Sequence, residues 1–339
     1  MTANPVLAEA VRGGYVENRH RGSFIVMDAD GRIIASAGDV QRPVFPRSAV
    51  KSIQAMAMAE TGAIGRFALD DEKLALACAS HHGEDVHVAG VTRFLETIGL
   101  DATALECGAH APTDPAAREA MRAAGGSPTA LHNNCSGKHA GMLSVARTLG
   151  VDTHGYVERD HPVQKAVRSA MEHVLGAPLS EDRCGIDGCS IPTWAVPLES
   201  LALGFARMAT GRDLPESLAD AARRVFDAAA RHPRLVAGTG HLDTVVMGAF
   251  RGRLMQKGGA EGVQCGAIRD LGWGYAIKCD DGHMEASRSM VAQLLLSFAR
   301  PDDEQATLLR AFADQPLRNV RGLEVGRLRA VAEAFAASP

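Results

Sequence analysis

The feature of the sequence that most constrains the fold is the position of the β patterns, which lie at both ends of a largely helical chain. Near the N-terminus, Ser23–Met27 and Arg32–Ala35 are short runs rich in β-branched and apolar residues, joined by the segment DADG. An Asp-Gly turn between such runs is typical of a β-hairpin. Because an isolated hairpin is only marginally stable in water, this one must find further strands elsewhere in the chain.

Most of the chain between the hairpin and those further strands has helical periodicity. Apolar residues recur at helical spacing in Ser48–Gly62, Asp71–Cys78, Val86–Ile98, Ala116–Ala124, Ser136–Leu149, Pro162–Leu175, Leu198–Met208, Ser217–Arg231 and Met284–Phe298. Strand patterns return at Thr244–Phe250, Arg253–Gln256, Gly262–Arg269 and Gly272–Cys279, with Asn319–Arg327 as a last candidate.

These patterns predict an α+β fold. The simplest burial scheme pairs the N-terminal hairpin with the C-terminal strands in one antiparallel sheet, covered by the helices predicted at 48–62 and 284–298. We expect a single catalytic unit with a mainly helical lobe at about 63–232 and a sheet lobe formed by about 1–62 and 233–339.

The composition excludes several classes of protein. Lys and Arg number 36 against 40 Asp and Glu, a net charge of −4, and there are only 2 Trp and 3 Tyr, so nucleic acid is not an expected partner. No apolar run is long enough to span a membrane, and the first residues have neither the cationic start nor the apolar core of a signal peptide. The 7 cysteines have no repeated spacing, which argues against a secreted disulfide framework. We expect a soluble, cytoplasmic protein with free thiols and no membrane partner.

Ser48 and Lys51 form a Ser-x-x-Lys motif at the start of a predicted helix. Residues three apart share a helix face, so the lysine amine can reach the serine hydroxyl. A serine hydroxyl is a weak nucleophile, and a desolvated lysine can accept its proton, which is the chemistry of acyl transfer. The alternative is that Ser48 only caps the helix and that Lys51 is solvated.

Two other segments contain possible partners of this motif. Lys257 is followed by two glycines at the end of a predicted strand, and this element resembles the Lys-Thr-Gly segment of penicillin-recognising serine enzymes. As an alternative, the glycines only form a turn. Ser80 lies in the segment ASHHGE between two predicted helices, where it can bond the nucleophile or act as a second one. The alternative for this segment is a cap for the helix that follows it.

Thiols occur beside small and polar residues in two further segments. Cys135 and Lys138 lie in HNNCSGKHAG at a helix start, where a nearby amine favours the thiolate as nucleophile or metal ligand. Cys189 lies in the glycine-rich segment CGIDGCSIPT. The spacing matches no standard zinc motif, so the residues alone leave a metal site open. Thr239, flanked by glycines in AGTGHLDT, can bind a carboxylate through backbone amides.

Six separated phrases make the sequence resemble the rhizobial-type L-asparaginases, also called the asparaginase II or class 3 family. They are FPRSAVKS, ASHHGE, HNNCSGKHAGML, DGCSIPTWAVPL, AGTGHLDT and KGGAEGVQCGA, in the order of the family and over nearly the whole chain. The resemblance implies a fold similar to serine beta-lactamases and glutaminases. It also implies hydrolysis of L-asparagine to L-aspartate and ammonia through a serine acyl-enzyme, by a homodimer.

The resemblance implies two Ser-Lys tandems, Ser48 with Lys51 and Ser80 with Lys257. We predict that Ser48 attacks the amide carbon and that Lys51 accepts its proton, while the second tandem relays protons and stabilises charge. An opposing assignment makes Ser80 the attacking residue.

The resemblance also implies a zinc ion held by Cys135, Lys138 and Cys189, with a role in positioning the substrate. A lysine must be neutral to coordinate a metal, so this binding would depend strongly on pH. The substrate-binding candidates on the same basis are Arg47, Asn133, His139, Asp187 and Thr239.

Two alternative functions differ in kind from an asparaginase. One is a related serine amidohydrolase that acts on glutamine, a peptide or a β-lactam. The other is a non-catalytic protein that binds zinc through thiolates, in which Ser48 is only a helix cap.

Overall fold

The computed structural model of the chain describes residues 3–336, which form two compact units. The sheet unit contains the chain up to Val50, the segment Val196–Thr210 and the chain from Arg253 onward. The helical unit contains Lys51–Ala195 and Gly211–Gly252. The sequence analysis places the division near residues 62 and 232, so the two divisions differ at every boundary.

The elements follow one another along the chain as follows. The strands are β1 (Val6–Arg12), β2 (Tyr15–Asp28), β3 (Ile33–Ala37), β4 (Pro43–Val44), β5 (Cys184–Ile186), β6 (Pro192–Trp194), β7 (Val196–Pro197), β8 (Leu254–Gly259), β9 (Val263–Ile268), β10 (Trp273–Cys279), β11 (Asp314–Arg318) and β12 (Glu324–Ala330). The α-helices are α1 (Lys51–Gln54), α2 (Ala57–Glu60), α3 (Ala63–Arg66), α4 (Asp71–Ala77), α5 (Asp85–Thr97), α6 (Pro115–Ala123), α7 (Ser136–Leu149), α8 (Pro162–Leu175), α9 (Leu198–Thr210), α10 (Glu216–Arg231), α11 (Pro233–Ala237), α12 (Leu242–Phe250), α13 (Met284–Phe298) and α14 (Asp303–Ala313). Short 3-10 helices lie at Arg47–Val50, Ala102–Ala104, Ala130–His132, Glu181–Arg183, Arg269–Leu271 and Ala332–Phe335.

The main sheet has the order β11-β12-β1-β2-β10-β9-β8, with β3 also paired to β2, and its strand pairs are antiparallel. In the centre, Phe24 of β2 lies opposite Ile277 of β10. The predicted pairing of the N-terminal hairpin with C-terminal strands is therefore confirmed, and so is the α+β fold class.

Both faces of the sheet are covered at its centre. Successive side chains of a strand point to opposite faces, yet Phe24, Ile25 and Val26 are all buried. Helices α9 and α13 both pack on this part of the sheet. A Cβ atom on Gly274 of β10 would lie 2.0 Å from the Ala202 carbonyl oxygen of α9, so the glycine allows the helix backbone to rest on the strand.

The continuous helix predicted from Ser48 to Gly62 is wrong. The segment is a 3-10 turn followed by α1 and α2, and the helical ladder breaks where the Met56 amide bonds to Ile53 instead of to the residue four positions back. Every residue from Ala49 to Met58 is buried, so apolar periodicity marks no single buried face here. The sequence analysis predicts that this segment covers the sheet, but helix α9 covers it instead.

Beyond residue 62, each helix predicted in the helical unit is found within one residue of its predicted bounds, whereas the strand predicted there is wrong. The ranges of α7 and α8 are as predicted, whereas Thr244–Phe250 forms part of helix α12 and not a strand. Leu242, Val246 and Phe250 are buried at a spacing of four residues, which is the spacing of a helix. Within residues 3–336, no helix combines the length and the apolar character needed to cross a bilayer.

Candidate active site

Ser48 lies in a 3-10 turn of the sheet unit. The turn spans Arg47–Val50, and Ser48 is half-buried. Arg47 has a φ of +51°, in the left-handed region that residues other than glycine rarely adopt. Its guanidinium lies 4.0 Å from the carboxylate of Glu261. A strained backbone beside a candidate nucleophile is typical of functional sites and costs roughly 1–3 kcal/mol.

The strand that carries Lys257 packs directly against this turn. A Cβ atom on Gly259, at the end of β8, would lie 2.7 Å from the Pro46 carbonyl oxygen and 2.9 Å from the Ala49 nitrogen. Only glycine permits so close an approach to backbone atoms. Lys257 is fully buried, and its Nζ donates a hydrogen bond to the Gly258 carbonyl at 2.7 Å. Strand β8, which carries Lys257, therefore adjoins the turn that carries Ser48.

Lys51 and Ser80 are joined by a hydrogen bond inside the helical unit. Lys51 begins α1 and is 1% exposed. Its Nζ lies 2.8 Å from Ser80 Oγ and 2.6 Å from the Ala79 carbonyl oxygen. The Ser80 amide donates to the Val236 carbonyl at 2.8 Å, which fixes the loop backbone. An amine at this distance from a hydroxyl meets the geometric requirement for proton transfer between a base and a serine.

His81 holds the Ser80 loop in place. Burial lowers the pKa of His81 well below its usual value, so the ring is neutral. Ser136 Oγ donates to the Leu131 carbonyl at 3.0 Å, which leaves it to accept a bond from His81 Nε2 at 2.9 Å. The other ring nitrogen accepts from the Gly83 amide. Because both nitrogens are occupied, His81 is a framework residue of the loop.

Thr239 binds a carboxylate, as the sequence suggests, but the carboxylate belongs to Glu84. The Thr239 amide and hydroxyl donate to Glu84 at 2.6 and 3.0 Å, and Arg234 adds two bonds of 2.9 and 2.7 Å. Burial acts to raise the pKa of Glu84, but these bonds outweigh it and hold the pKa below its usual value. The proposed contact of Thr239 with substrate stays a prediction.

Asn133 uses its side-chain amide to shape the loop before α7. Its Nδ2 donates to the Cys107 and Gly108 carbonyls at 2.8 and 3.1 Å, and its Oδ1 accepts from the Cys135 amide at 2.9 Å. Asn133 is buried. These contacts position the thiol of Cys135, while the predicted contact of Asn133 with substrate stays a prediction.

Cys135, Lys138 and Cys189 form a buried thiol-amine cluster. Lys138 Nζ donates to Cys189 Sγ at 2.9 Å. A hydrogen bond from Cys189, with the charge of Lys138, holds the pKa of Cys135 well below its usual value, whereas the bond to Cys135 and burial raise the pKa of Cys189. Burial disfavours the charged amine, but the charge of the two sulfurs raises the pKa of Lys138. Without a bound metal, these directions favour a thiolate on Cys135 beside an ammonium group on Lys138, so zinc would have to displace the ammonium proton before the amine could coordinate it.

The donor atoms of this cluster fit a zinc site. Two sulfurs and one nitrogen converge in a buried place, and three protein ligands leave a fourth position for a small molecule. Cys135 and Lys138 share one face at the start of α7, and the half-buried Asp187 adds negative charge that acts on the amine. Ser190, next to Cys189, has a φ of +75°, a strained conformation beside a ligand candidate.

Lys51 connects Ser80 to this thiol-amine cluster. It hydrogen bonds to Ser80 and also interacts with Cys135, whose pKa it helps to lower by its charge and by a hydrogen bond. Ser80, Lys51, Cys135 and Cys189 therefore form one series of interacting polar groups within the helical unit. The sequence analysis treats the Ser-Lys motif and the thiols as separate features, and the structure brings Lys51 to both.

Tyr156 is a site residue that the sequence analysis missed. Its hydroxyl lies 2.6 Å from His139 Nδ1 and accepts a bond from the Glu106 amide at 3.1 Å. His139 is fully buried, and burial lowers its pKa well below the usual value. Among the described residues, its Nε2 has no hydrogen-bond partner. Tyr156 lies in no recognisable motif. The chain has only three tyrosines, and this rarity of the phenol side chain was the only signal of a role for Tyr156.

The predicted site residues fall in both units. The sheet unit carries Arg47, Ser48 and Lys257, and the helical unit carries Lys51, Ser80, Asn133, Cys135, Lys138, His139, Asp187, Cys189 and Thr239.

Comparisons with known proteins give one family and several solved structures of low similarity. The family model described as L-asparaginase II matches residues 8–330. The crystal structure of Mglu in its native form is 15% identical with a TM-score of 0.44, and the match covers 84% of this chain but only 63% of that chain. A beta-lactamase from Mycobacterium bovis is 12% identical with a TM-score of 0.43, covering 82% of this chain and 95% of that one. Simvastatin synthase from Aspergillus terreus is 13% identical with a TM-score of 0.38, covering 76% and 86%. A search among curated proteins gives no significant match.

Proposed function

The chain belongs to the L-asparaginase II family, and on this premise we propose that it hydrolyses L-asparagine to L-aspartate and ammonia through a serine acyl-enzyme. The observation that carries the chemistry is the 2.8 Å contact between the buried Lys51 amine and the Ser80 hydroxyl. A lysine removed from water and bonded to a serine is the base that a serine amidohydrolase needs.

In the proposed reaction Ser48 attacks the side-chain amide carbon, and Lys51 accepts the hydroxyl proton. Ser48 is assigned this role by the resemblance and by the Ser-x-x-Lys spacing, and the strained φ of Arg47 supports a functional role for the turn. Ser80, bonded to Lys51, passes the proton to the leaving nitrogen, and ammonia departs from an aspartyl ester. Water then cleaves the ester with the same residues acting in reverse. Lys257 supplies positive charge for the developing oxyanion.

Zinc is the proposed cofactor. Cys135, Cys189 and the neutral amine of Lys138 would hold it, and it would supply a positive charge that orients the α-amino and carboxylate groups of the substrate. Arg47, Asn133, His139, Asp187 and Thr239 remain the proposed substrate contacts. The homodimer and the cytoplasmic location expected from the family stay predictions.

The test is ammonia release from L-asparagine and L-glutamine by the wild type and by three variants, with zinc content measured on each sample. We expect turnover of asparagine, a loss of at least about 10³-fold in Ser48→Ala and Lys51→Met, and wild-type rates in Ser36→Ala, a half-buried strand serine that serves as control.

Other outcomes separate the alternatives. Faster release from glutamine would reject asparagine as the substrate. Full turnover by Ser48→Ala, with the acyl adduct found on Ser80, would reverse the assignment of the serines. Binding of zinc without ammonia release from either amide would reject the enzyme and favour the non-catalytic zinc-thiolate protein.

A further inference from the structure

A second group of metal-ligand side chains lies in the sheet unit, among residues that the proposed reaction does not use. His20 belongs to β2, Cys279 ends β10, and Asp281 lies in the turn that follows. One ligand atom from each of these residues lies within 4.8 Å of the other two. The group combines an imidazole nitrogen, a sulfur and a carboxylate oxygen, the three ligand types that zinc prefers in proteins.

The Asp281 carboxylate bridges the other two side chains. One of its oxygens lies 2.7 Å from His20 Nδ1, and the other accepts a bond from Cys279 Sγ at 3.0 Å. The His283 amide also donates to Asp281, at 3.0 Å, and the Gly282 amide donates to the Cys279 carbonyl at 3.1 Å. These backbone bonds fix the turn that carries Asp281.

Burial of the group is uneven in a way that suits a metal. His20 and Cys279 are 6% and 0% exposed, whereas the Asp281 side chain is 48% exposed. An ion can therefore enter from the carboxylate side and meet two ligands that water reaches poorly. The ring of His283 lies 4.6 Å from that of His20, but its Nδ1 accepts a bond from Ala286 as the cap of α13 and is not available as a ligand.

We propose that His20, Cys279 and Asp281 form a second zinc site, separate from the thiol-amine cluster. Tetrahedral zinc with these ligands sets the ligand atoms roughly 3.3–3.5 Å apart. The two contacts of 2.7 and 3.0 Å must therefore widen by about half an ångström, which the exposed carboxylate can supply. A water molecule completes the shell.

Zinc binding at this site changes the protonation of two of its ligands. The Cys279 thiol releases one proton to solvent and binds as the thiolate. His20 would bind through the lone pair of Nδ1, with the ring proton carried on Nε2. Bound zinc would tie β2 to the end of β10 and to the turn that leads into α13, so we assign it a structural role in the sheet unit.

The test uses full-length Cys135→Ser/Cys189→Ser protein, in which the thiol-amine cluster has lost its sulfurs. Cobalt(II) replaces zinc as a visible probe, because cobalt bound to a thiolate gives an intense near-ultraviolet band. We expect one equivalent of cobalt with this band, displaced by zinc. Adding Cys279→Ser should abolish the band, and adding Asp281→Asn should weaken cobalt binding about tenfold or more. Adding Cys184→Ser, at a half-buried cysteine outside both groups, should change neither.

Two results would overturn the proposal. One is the absence of the band in the starting variant, and the other is a band that survives Cys279→Ser. If Cys279→Ser does not fold by circular dichroism, the exposed Asp281→Asn change decides, and unchanged cobalt affinity in it rejects the site. None of these readouts depends on amidohydrolase activity, so failure of the proposed function would leave the test intact.

Discussion

A methyl group added to Gly259 should impair catalysis more than it impairs folding. In Gly259→Ala the new Cβ meets the Pro46 carbonyl oxygen at 2.7 Å and the Ala49 nitrogen at 2.9 Å. Ordinary contact begins at about 3.4 Å, so the strand and the turn must separate by about 0.7 Å. Both contacted atoms belong to the backbone, and neither can rotate out of the way as a side chain would.

The expected magnitudes follow from this displacement. Overpacking of this kind typically lowers the free energy of unfolding by about 1–3 kcal/mol. The turn that must move carries Ser48, and misplacing a reacting group by about 1 Å costs on the order of 10²-fold in rate. We therefore expect a decrease of about 10–100-fold in kcat for asparagine, with a smaller change in KM.

The assay is steady-state ammonia release combined with urea denaturation. Gly248→Ala is the matched control, because a Cβ at this exposed position in α12 meets nothing within 4 Å. It should keep the wild-type rate, and its free energy of unfolding should be unchanged or higher by up to about 1 kcal/mol, because alanine favours a helix more than glycine does. Wild-type kcat in Gly259→Ala would refute the close packing of strand and turn, and equal losses in both variants would refute the assignment of the effect to Gly259.

Two further predictions concern buried polar groups. Glu84→Gln should lower the free energy of unfolding by roughly 1–3 kcal/mol at pH 7. The folded-state pKa of Glu84 lies below the ordinary 4.5, so the stabilisation by its carboxylate is present above pH 4.5 and is lost as the pH falls through the folded value. Urea denaturation at pH 7 and pH 3 should therefore show that the difference in free energy of unfolding between wild type and Glu84→Gln shrinks at the lower pH. An equal difference at both pH values would contradict this. Asn133→Ala should cost about 1–3 kcal/mol and reduce the metal content, because three hydrogen bonds that shape the Cys135 loop are lost. A raised KM with unchanged stability would instead support direct contact of Asn133 with substrate.

The bounds of a helix were predictable where its apolar periodicity agrees with the residues that begin and end it. Helix α7 begins at Ser136 and ends before Gly150, a glycine in the left-handed conformation that commonly terminates helices, and both ends match the prediction. Prediction failed for Thr244–Phe250, where β-branched residues favoured a strand while burial at a four-residue spacing fixed a helix. Helix α14 was missed although Asp302 and Gln305 form a capping box, a signal present in the sequence.

The residue types of the candidate site were predictable, but their partners were not. Cys135 and Lys138 share a helix turn, so their proximity follows from spacing alone. The bond from Lys51 to Ser80 joins residues 29 positions apart, and the bond from Thr239 to Glu84 joins residues 155 positions apart. Such contacts arise only when helices pack, and no local pattern encodes them.

The chain passes between the two units four times, and this has a consequence for how the protein is made. The helical unit ends at Gly252, before the strands from β8 onward, so on the ribosome it can fold first. Strand β2 must wait for β10, and Phe24 meets Ile277 only after most of the polypeptide has emerged. Pairing over so long a sequence separation is slow, and an open strand edge invites aggregation in the interval. We expect that slowing translation beyond Gly252 would lower the soluble yield, even though no residue of the finished protein is changed.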